Sequence, residues 1–260
     1  MHLPRKRFGQ HFLHDAAIIH RIITALAPHA HEHLVEIGPG QGALTVPVLQ
    51  IVKELEAVEL DRDLIPELQK RCREGTLHIH SADALTFDFA QLKKDERLLR
   101  VFGNLPYNIS TPLIFHLLLF TPLIANMLFM LQKEVAARLA AKTNTHDYSR
   151  LSVMVQYHCQ VELLFDVPPS AFYPPPKVTS SIVQLVPFQT YPYLASNYAL
   201  FSSVVKQAFN QRRKTLRNSL KSCMDDEKWE RVSISSDKRP ENCTVKDFVD
   251  IANVLDVKTS

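Results

Sequence analysis

Five short apolar runs recur with room for one helix between each pair: Leu34–Ile37, Leu55–Leu60, Leu77–His80, Leu98–Phe102 and Met127–Leu131. Segments with helical spacing lie between them, among them Leu64–Arg71 and Ile109–Leu119. Strands that are apolar at successive positions must be covered on both faces. Alternating β and α elements of this kind predict an α/β fold with a parallel sheet. A leading helix is expected over Asp15–Ala27, where Ile18, Ile19, Ile22, Ile23 and Leu26 fall on one stripe. Two further strand-like runs, Val161–Phe165 and Ser181–Val186, flank a proline-rich loop and could close the sheet antiparallel.

The pattern changes after Pro187. From about Tyr193 only helical spacing remains, over Tyr198–Phe209, Thr215–Ser222 and Val245–Leu255. A boundary near Pro187–Pro192 is expected, giving an α/β domain over 1–190 and a helical domain over 191–260. The first domain includes a basic arm at 1–14.

At 260 residues and 46% hydrophobic composition the chain can bury a full core. Its four cysteines, Cys72, Cys159, Cys223 and Cys243, are scattered without a C-x-x-C pair. That suits free thiols in a reducing, cytoplasmic setting. Arg5-Lys6-Arg7 leads into Phe8-Gly9-Gln10-His11, which is not the apolar core of a signal peptide. The longest apolar stretch, Leu113–Leu131, is interrupted by His116, Pro122 and Asn126. A buried helix followed by a buried strand explains it better than a membrane span.

The net charge is only +3, but it is unevenly spread. Residues 1–14 carry Arg5, Lys6 and Arg7 and no acid; residues 206–221 carry Lys206, Arg212, Arg213, Lys214, Arg217 and Lys221 and no acid. The rest of the chain therefore sums to −6. Two dense basic segments on an acidic body are the footprint expected of a polyanion partner. Arg212, Arg213, Lys214 and Arg217 fall within six positions, so a helix would show them on one broad face. They would position phosphates without reading sequence.

Chemistry-bearing residues fall at strand ends. Glu36-Ile37-Gly38-Pro39-Gly40-Gln41-Gly42 follows the first strand, where glycines let a ligand approach the backbone. The spacing is G-x-G-x-G, not the dinucleotide G-x-G-x-x-G. Glu59 ends the second strand and can bridge the two hydroxyls of a ribose. Asp83 follows the third and can accept a bond from an adenine amine. Asn104-Leu105-Pro106-Tyr107 follows the fourth. One ribose, one adenine and no phosphate site suit S-adenosylmethionine as cofactor. In the last motif the Asn104 side-chain oxygen and the Leu105 carbonyl can hold both N–H bonds of an exocyclic amine. Tyr107 can stack on its ring, and Pro106 stiffens the turn. Two such acceptors aim the lone pair of a weak nucleophile at an electrophile, which is catalysis by orientation.

With these residues in place, the chain resembles the KsgA family of small-subunit (16S) ribosomal RNA adenine dimethyltransferases. The likeness covers Arg5–Leu13, Val35–Gly42, Val58–Asp61, Phe102–Ser110, Met130–Arg138, Val167–Val178 and Ala208–Leu220. It implies a Rossmann-like methyltransferase domain followed by a small helical domain that binds rRNA. It also implies dimethylation of N6 on two adjacent adenosines of the 3′-terminal hairpin, in a late 30S assembly particle. Carried over by position, the cofactor residues are His11, Leu13, Gly38, Glu59, Asp83 and Asn104, with Gly40 in the same loop. Many members have asparagine where this chain has His11. The resemblance also makes Phe172 a second stacking surface, opposite Tyr107, for an adenine flipped into the pocket. Arg5–Arg7, Arg212–Lys214, Arg217 and Lys221 become the RNA-binding set, and the protein is expected to act as a monomer. Two alternatives stand beside this reading. One is an assembly factor whose binding matters more than its methylation. The other is a large-subunit rRNA methylase of the antibiotic-resistance type.

No metal is expected. His29, His31 and His33 alternate with no obvious Asp or Cys partner nearby, and His78 and His80 are read the same way. Glu54 and Glu56 are expected to face solvent. Lys133 and Arg138 are as compatible with a salt-patterned helix surface as with phosphate binding.

Overall fold

The computed structural model describes residues 10–73 and 75–257. Its strands are β1 (Phe12–Leu13), β2 (His33–Ile37), β3 (Glu54–Glu59), β4 (Thr76–Ser81), β5 (Leu99–Asn104), β6 (Ile124–Gln132), β7 (Cys159–Val167), β8 (Phe172–Tyr173) and β9 (Ser180–Pro187). Its α-helices are α1 (Ala16–Leu26), α2 (Thr45–Val52), α3 (Ile65–Arg71), α4 (Ser110–Leu117), α5 (Lys133–Ala140), α6 (Arg150–His158), α7 (Tyr198–Asn210), α8 (Leu216–Ser219), α9 (Asp226–Glu230) and α10 (Val245–Asp256).

Seven strands form one sheet in the order β4-β3-β2-β5-β6-β9-β7. The first five are parallel, and β9 runs antiparallel to β6. The five expected strands are all present. The order reverses between β2 and β5, and it is at such a switch point that open α/β sheets bind ligands. One face is covered by α1 and α2: Ile18, Ile22 and Leu26 with Val48, Leu49 and Val52 pack on Leu34, Leu55, Phe102 and Leu128. Asp15 opens α1 by accepting from the Ala17 and Ile18 amides. At the other end, the buried Arg100 guanidinium binds the Leu26 and Ala27 carbonyls and pairs with Glu32. A cation from β5 thus satisfies the orphan carbonyls at the helix C-terminus.

Gly103 sets how closely β5 lies against β2. A Cβ there would overlap the Ile37 carbonyl oxygen. A two-residue pairing outside the main sheet was not expected from sequence: β1 runs antiparallel to β8, with Phe12 opposite Tyr173 and Leu13 opposite Phe172.

The chain divides into two compact units, and the division differs from the expected 1–190 and 191–260. The α/β unit runs up to Ala136 and resumes at Val161–Pro187; the helical unit comprises Ala137–Gln160 and everything from Phe188. The missed piece is α6. Five of its nine residues are apolar or aromatic and nearly all are buried, so it gives no amphipathic stripe for a sequence reading to catch. The helix expected over Thr215–Ser222 shrinks to one turn, α8. Among the described residues no helix is long and apolar enough to cross a membrane. All four cysteines are free.

Candidate active site

A cavity of about 330 Å³ opens beyond the C-terminal ends of β2 to β5. Its wall contains His11 and Leu13 from β1 and its approach, Gly38 and Gly40 after β2, Glu59 at the end of β3, and Asp83 after β4. Asn104, Leu105, Pro106 and Tyr107 complete it after β5. The four strand-end motifs therefore share one enclosure.

Gly40 takes the left-handed conformation, φ 56°. That turn aims its N–H at Glu59 Oε2, at 3.1 Å, while Glu59 Oε1 accepts from the Asp61 N–H at 2.8 Å. Each carboxylate oxygen keeps lone-pair capacity for a hydroxyl. Burial raises the Glu59 pKa, and the two backbone donors oppose that rise. Asp83 Oδ1 is held by the Leu85 N–H at 2.9 Å, which orients the half-buried carboxylate at the cavity wall.

Asn104 is pinned by its amide hydrogen. Nδ2 donates to the His11 carbonyl at 3.0 Å, so Oδ1 is the side-chain atom left as an acceptor. The Leu105 N–H donates to the Met130 carbonyl, which ties the turn to β6. Tyr107 is fixed at its far end by a 2.7 Å bond between its hydroxyl and Ser180 Oγ. The His11 ring stacks on Tyr107, with centroids 5.5 Å apart and planes 28° apart. Its Nδ1–H donates to the Pro174 carbonyl at 2.7 Å. His11 thereby joins the Asn104–Tyr107 turn to the proline-rich loop.

Polar wall residues without an assigned role from sequence include Glu36, Asp61 and Gln10. Glu36 is fully buried, its Oε2 meets no hydrogen-bond partner, and desolvation pushes its pKa up to about 8. An acid inside the apolar run Leu34–Ile37 was the available signal. Gln10 Nε2 donates to Asp61 Oδ2 at 3.0 Å.

Several expected residues stand elsewhere. Phe172 does not line the cavity: at 2% exposure it packs in the core with Leu13, Ala171 and Ile182. The strand register explains this, because Phe172 shares its face with the buried Leu13. Arg5, Lys6 and Arg7 lie outside the described residues. The basic run near 212 is not one helix face. Residues 211–214 form the turn between α7 and α8. Arg212 pairs with Glu241 at 2.8 Å and Arg217 with Asp226 at 2.6 Å, while Arg213, Lys214 and Lys221 are exposed. Glu56 is buried, not solvent-facing, and is held by His80 at 2.7 Å and by Lys94. Lys133 pairs with Asp166. Among the described residues no three His, Cys, Asp or Glu side chains gather as a metal site.

Comparison with known proteins decides the family. The model of the ribosomal RNA adenine dimethylases matches residues 1–257. The chain belongs to that family. A ribosomal RNA small subunit methyltransferase A from Pseudomonas putida is 54% identical over 98% of this chain and 96% of its own length. One from Aliivibrio fischeri is 51% identical over 100% of this chain and 96% of its own. Among solved structures, a dimethyladenosine transferase from Plasmodium falciparum superposes with a TM-score of 0.78 at 28% identity, covering 93% of this chain and 96% of that one. The 23S rRNA methyltransferase ErmE shares the fold, with a TM-score of 0.71 at 22% identity over 94% of this chain and 99% of its own.

Proposed function

We propose that this chain is a cytoplasmic, monomeric S-adenosylmethionine-dependent dimethyltransferase. Its substrates are the N6 amines of two adjacent adenosines in the 3′-terminal hairpin of 16S rRNA, within an immature 30S particle. The observation that carries the reading is the Asn104 amide. One N–H of its Nδ2 is held by the His11 carbonyl, which fixes the side chain with its oxygen as the acceptor at the cavity wall. The donor set suits the cofactor: Glu59 keeps acceptor capacity for ribose hydroxyls and Asp83 for an adenine amine. The unpartnered Glu36 oxygen suits a cationic group.

When bound, S-adenosylmethionine supplies an electrophilic methyl on a sulfonium. The residues of the chain do the rest. Asn104 Oδ1 and the Leu105 carbonyl each accept one N–H of the target amine, which turns its lone pair toward the methyl. Tyr107, held by Ser180, stacks on the flipped ring, a contact worth on the order of 1–3 kcal/mol. After the first transfer one N–H remains to be held, and one acceptor suffices. The cationic N-methyl product formed by attack on the methyl is acidic enough to release its proton to water, so no strong base is needed. Arg213, Lys214 and Lys221 supply phosphate contacts from the helical unit.

The test is transfer of labelled methyl to small subunits lacking these modifications, with naked rRNA and large subunits in parallel. N6,N6-dimethyladenosine on the small subunit alone is expected by nucleoside mass spectrometry. Label on the large subunit, or none with intact cofactor binding, overturns the reading.

A further inference from the structure

Two-residue periodicity sorts the side chains of the β1–β8 pair. Leu13 and Phe172 are opposite each other and both are buried; Phe12 and Tyr173 are opposite each other on the other face. Phe12 lines the cavity, and its ring lies 3.4 Å from where a Cβ on Gly40 would be. Tyr173, its cross-strand neighbour, is 61% exposed. The next residue, Pro174, gives its carbonyl to His11 on the cavity wall. Tyr173 thus pairs with one cavity-wall residue, Phe12, and its neighbour Pro174 bonds to a second, His11. Along the same loop Lys177 and Val178 are also exposed. A large exposed aromatic followed four residues later by an exposed cation is the pairing that binds single-stranded nucleic acid, ring to base and ammonium to phosphate.

We propose that the exposed face of the Tyr173–Thr179 loop is an RNA platform. Tyr173 stacks on the base next to the adenosine held in the cavity, and Lys177 takes a phosphate beside it. The proposal rests on the adenosine reading above and adds the surface that places the neighbouring nucleotide. It also gives the proline-rich loop a recognition residue, Tyr173, where sequence pointed to Phe172. A base held by stacking is read by its π-face, so this contact favours any neighbour that leaves the duplex and tolerates its identity.

The probe is a short single-stranded RNA of adenosines carrying one 2-aminopurine, whose fluorescence is quenched by stacking. Wild type, Tyr173→Ala, Tyr173→Phe and Lys177→Met are compared for affinity and quenching. KM and kcat on unmodified small subunits are measured in parallel. Tyr173→Ala is expected to weaken RNA binding about tenfold, the scale of one lost base stack, and to abolish the quenching. Its effect on methylation falls on KM more than on kcat, and cofactor affinity by calorimetry stays at the wild-type value. Tyr173→Phe keeps the ring and restores binding, whereas Lys177→Met flattens the salt dependence of affinity. Wild-type binding by Tyr173→Ala, equal losses in the Phe and Ala variants, or no RNA binding by wild type would each overturn the platform. Quenched binding by wild type without methyl transfer would instead refute the proposed reaction and leave the platform standing.

Discussion

Glu36→Gln tests the electrostatics of the cavity floor. In the folded protein burial holds the Glu36 carboxyl protonated up to a pKa of about 8, against its ordinary 4.5. The nearby Glu59 pushes the same way, and the Thr45 hydroxyl opposes. Above pH 4.5 the unfolded chain releases this proton while the folded chain keeps it, so stability falls as pH rises and levels off above 8. At 1.36 kcal/mol per pH unit the full cost is about 5 kcal/mol, of which about 3 kcal/mol is already present at pH 7. Glutamine keeps the shape and does not titrate. The variant should gain on wild type by about 4 kcal/mol between pH 5 and pH 8. Glu59 titrates in both proteins, so only its coupling to Glu36 enters the difference. The assay is urea unfolding across this range, read by hydrogen exchange of the β2 and β3 amides so that the signal belongs to the α/β unit. A cationic cofactor should reverse the balance: wild-type affinity rises with pH toward 8 as Glu36 ionises, and the variant binds more weakly with a flat profile. Parallel stability curves for the two proteins from pH 5 to 8 would refute this account of the cavity floor.

Three further substitutions separate chemistry from scaffold. Asn104→Ala should lower methyl transfer by roughly 100-fold, the scale of a misaligned reactant, with circular dichroism showing an intact fold. Gly103→Ala should cost about 3 kcal/mol or more by denaturant titration, since the new methyl meets the Ile37 backbone oxygen and neither strand can yield alone. Phe172→Ala should cost about 3–5 kcal/mol by the same measurement, as deletion of a buried ring does. If it keeps wild-type stability and loses only RNA affinity, the ring leaves the core to meet a base.

The sheet was legible because its signals are local. A strand covered on both faces must be largely apolar, and the runs show it, even though Glu36, Glu56 and Arg100 interrupt three of them and the edge strand β4 reads Leu-His-Ile-His. The site was legible for a related reason. In a parallel sheet every strand presents its C-terminal end on the same side, so Gly38, Glu59, Asp83 and Asn104 converge once strand order is granted. What local signals could not supply was the unit to which α6 belongs. Leu151, Val153, Met154 and Val155 are buried all round, and a helix without a polar stripe names no partner.

Partners distant in sequence account for the remaining differences. The run from Lys206 to Lys221 contains no acid, yet Glu241 and Asp226 reach Arg212 and Arg217 from later segments. Counting charges along the chain overstates what is available to a polyanion, because pairing depends on what folds back against the run. Cations without a carboxylate partner, not total cations, should set the slope of RNA affinity against salt, since a paired arginine must give up its carboxylate before it can neutralise a phosphate. The same distinction governs the proline-rich loop. Composition places Phe172 and Tyr173 there as near equals. Only the register with Phe12 and Leu13 turns one ring into the core and the other toward solvent beside the cavity.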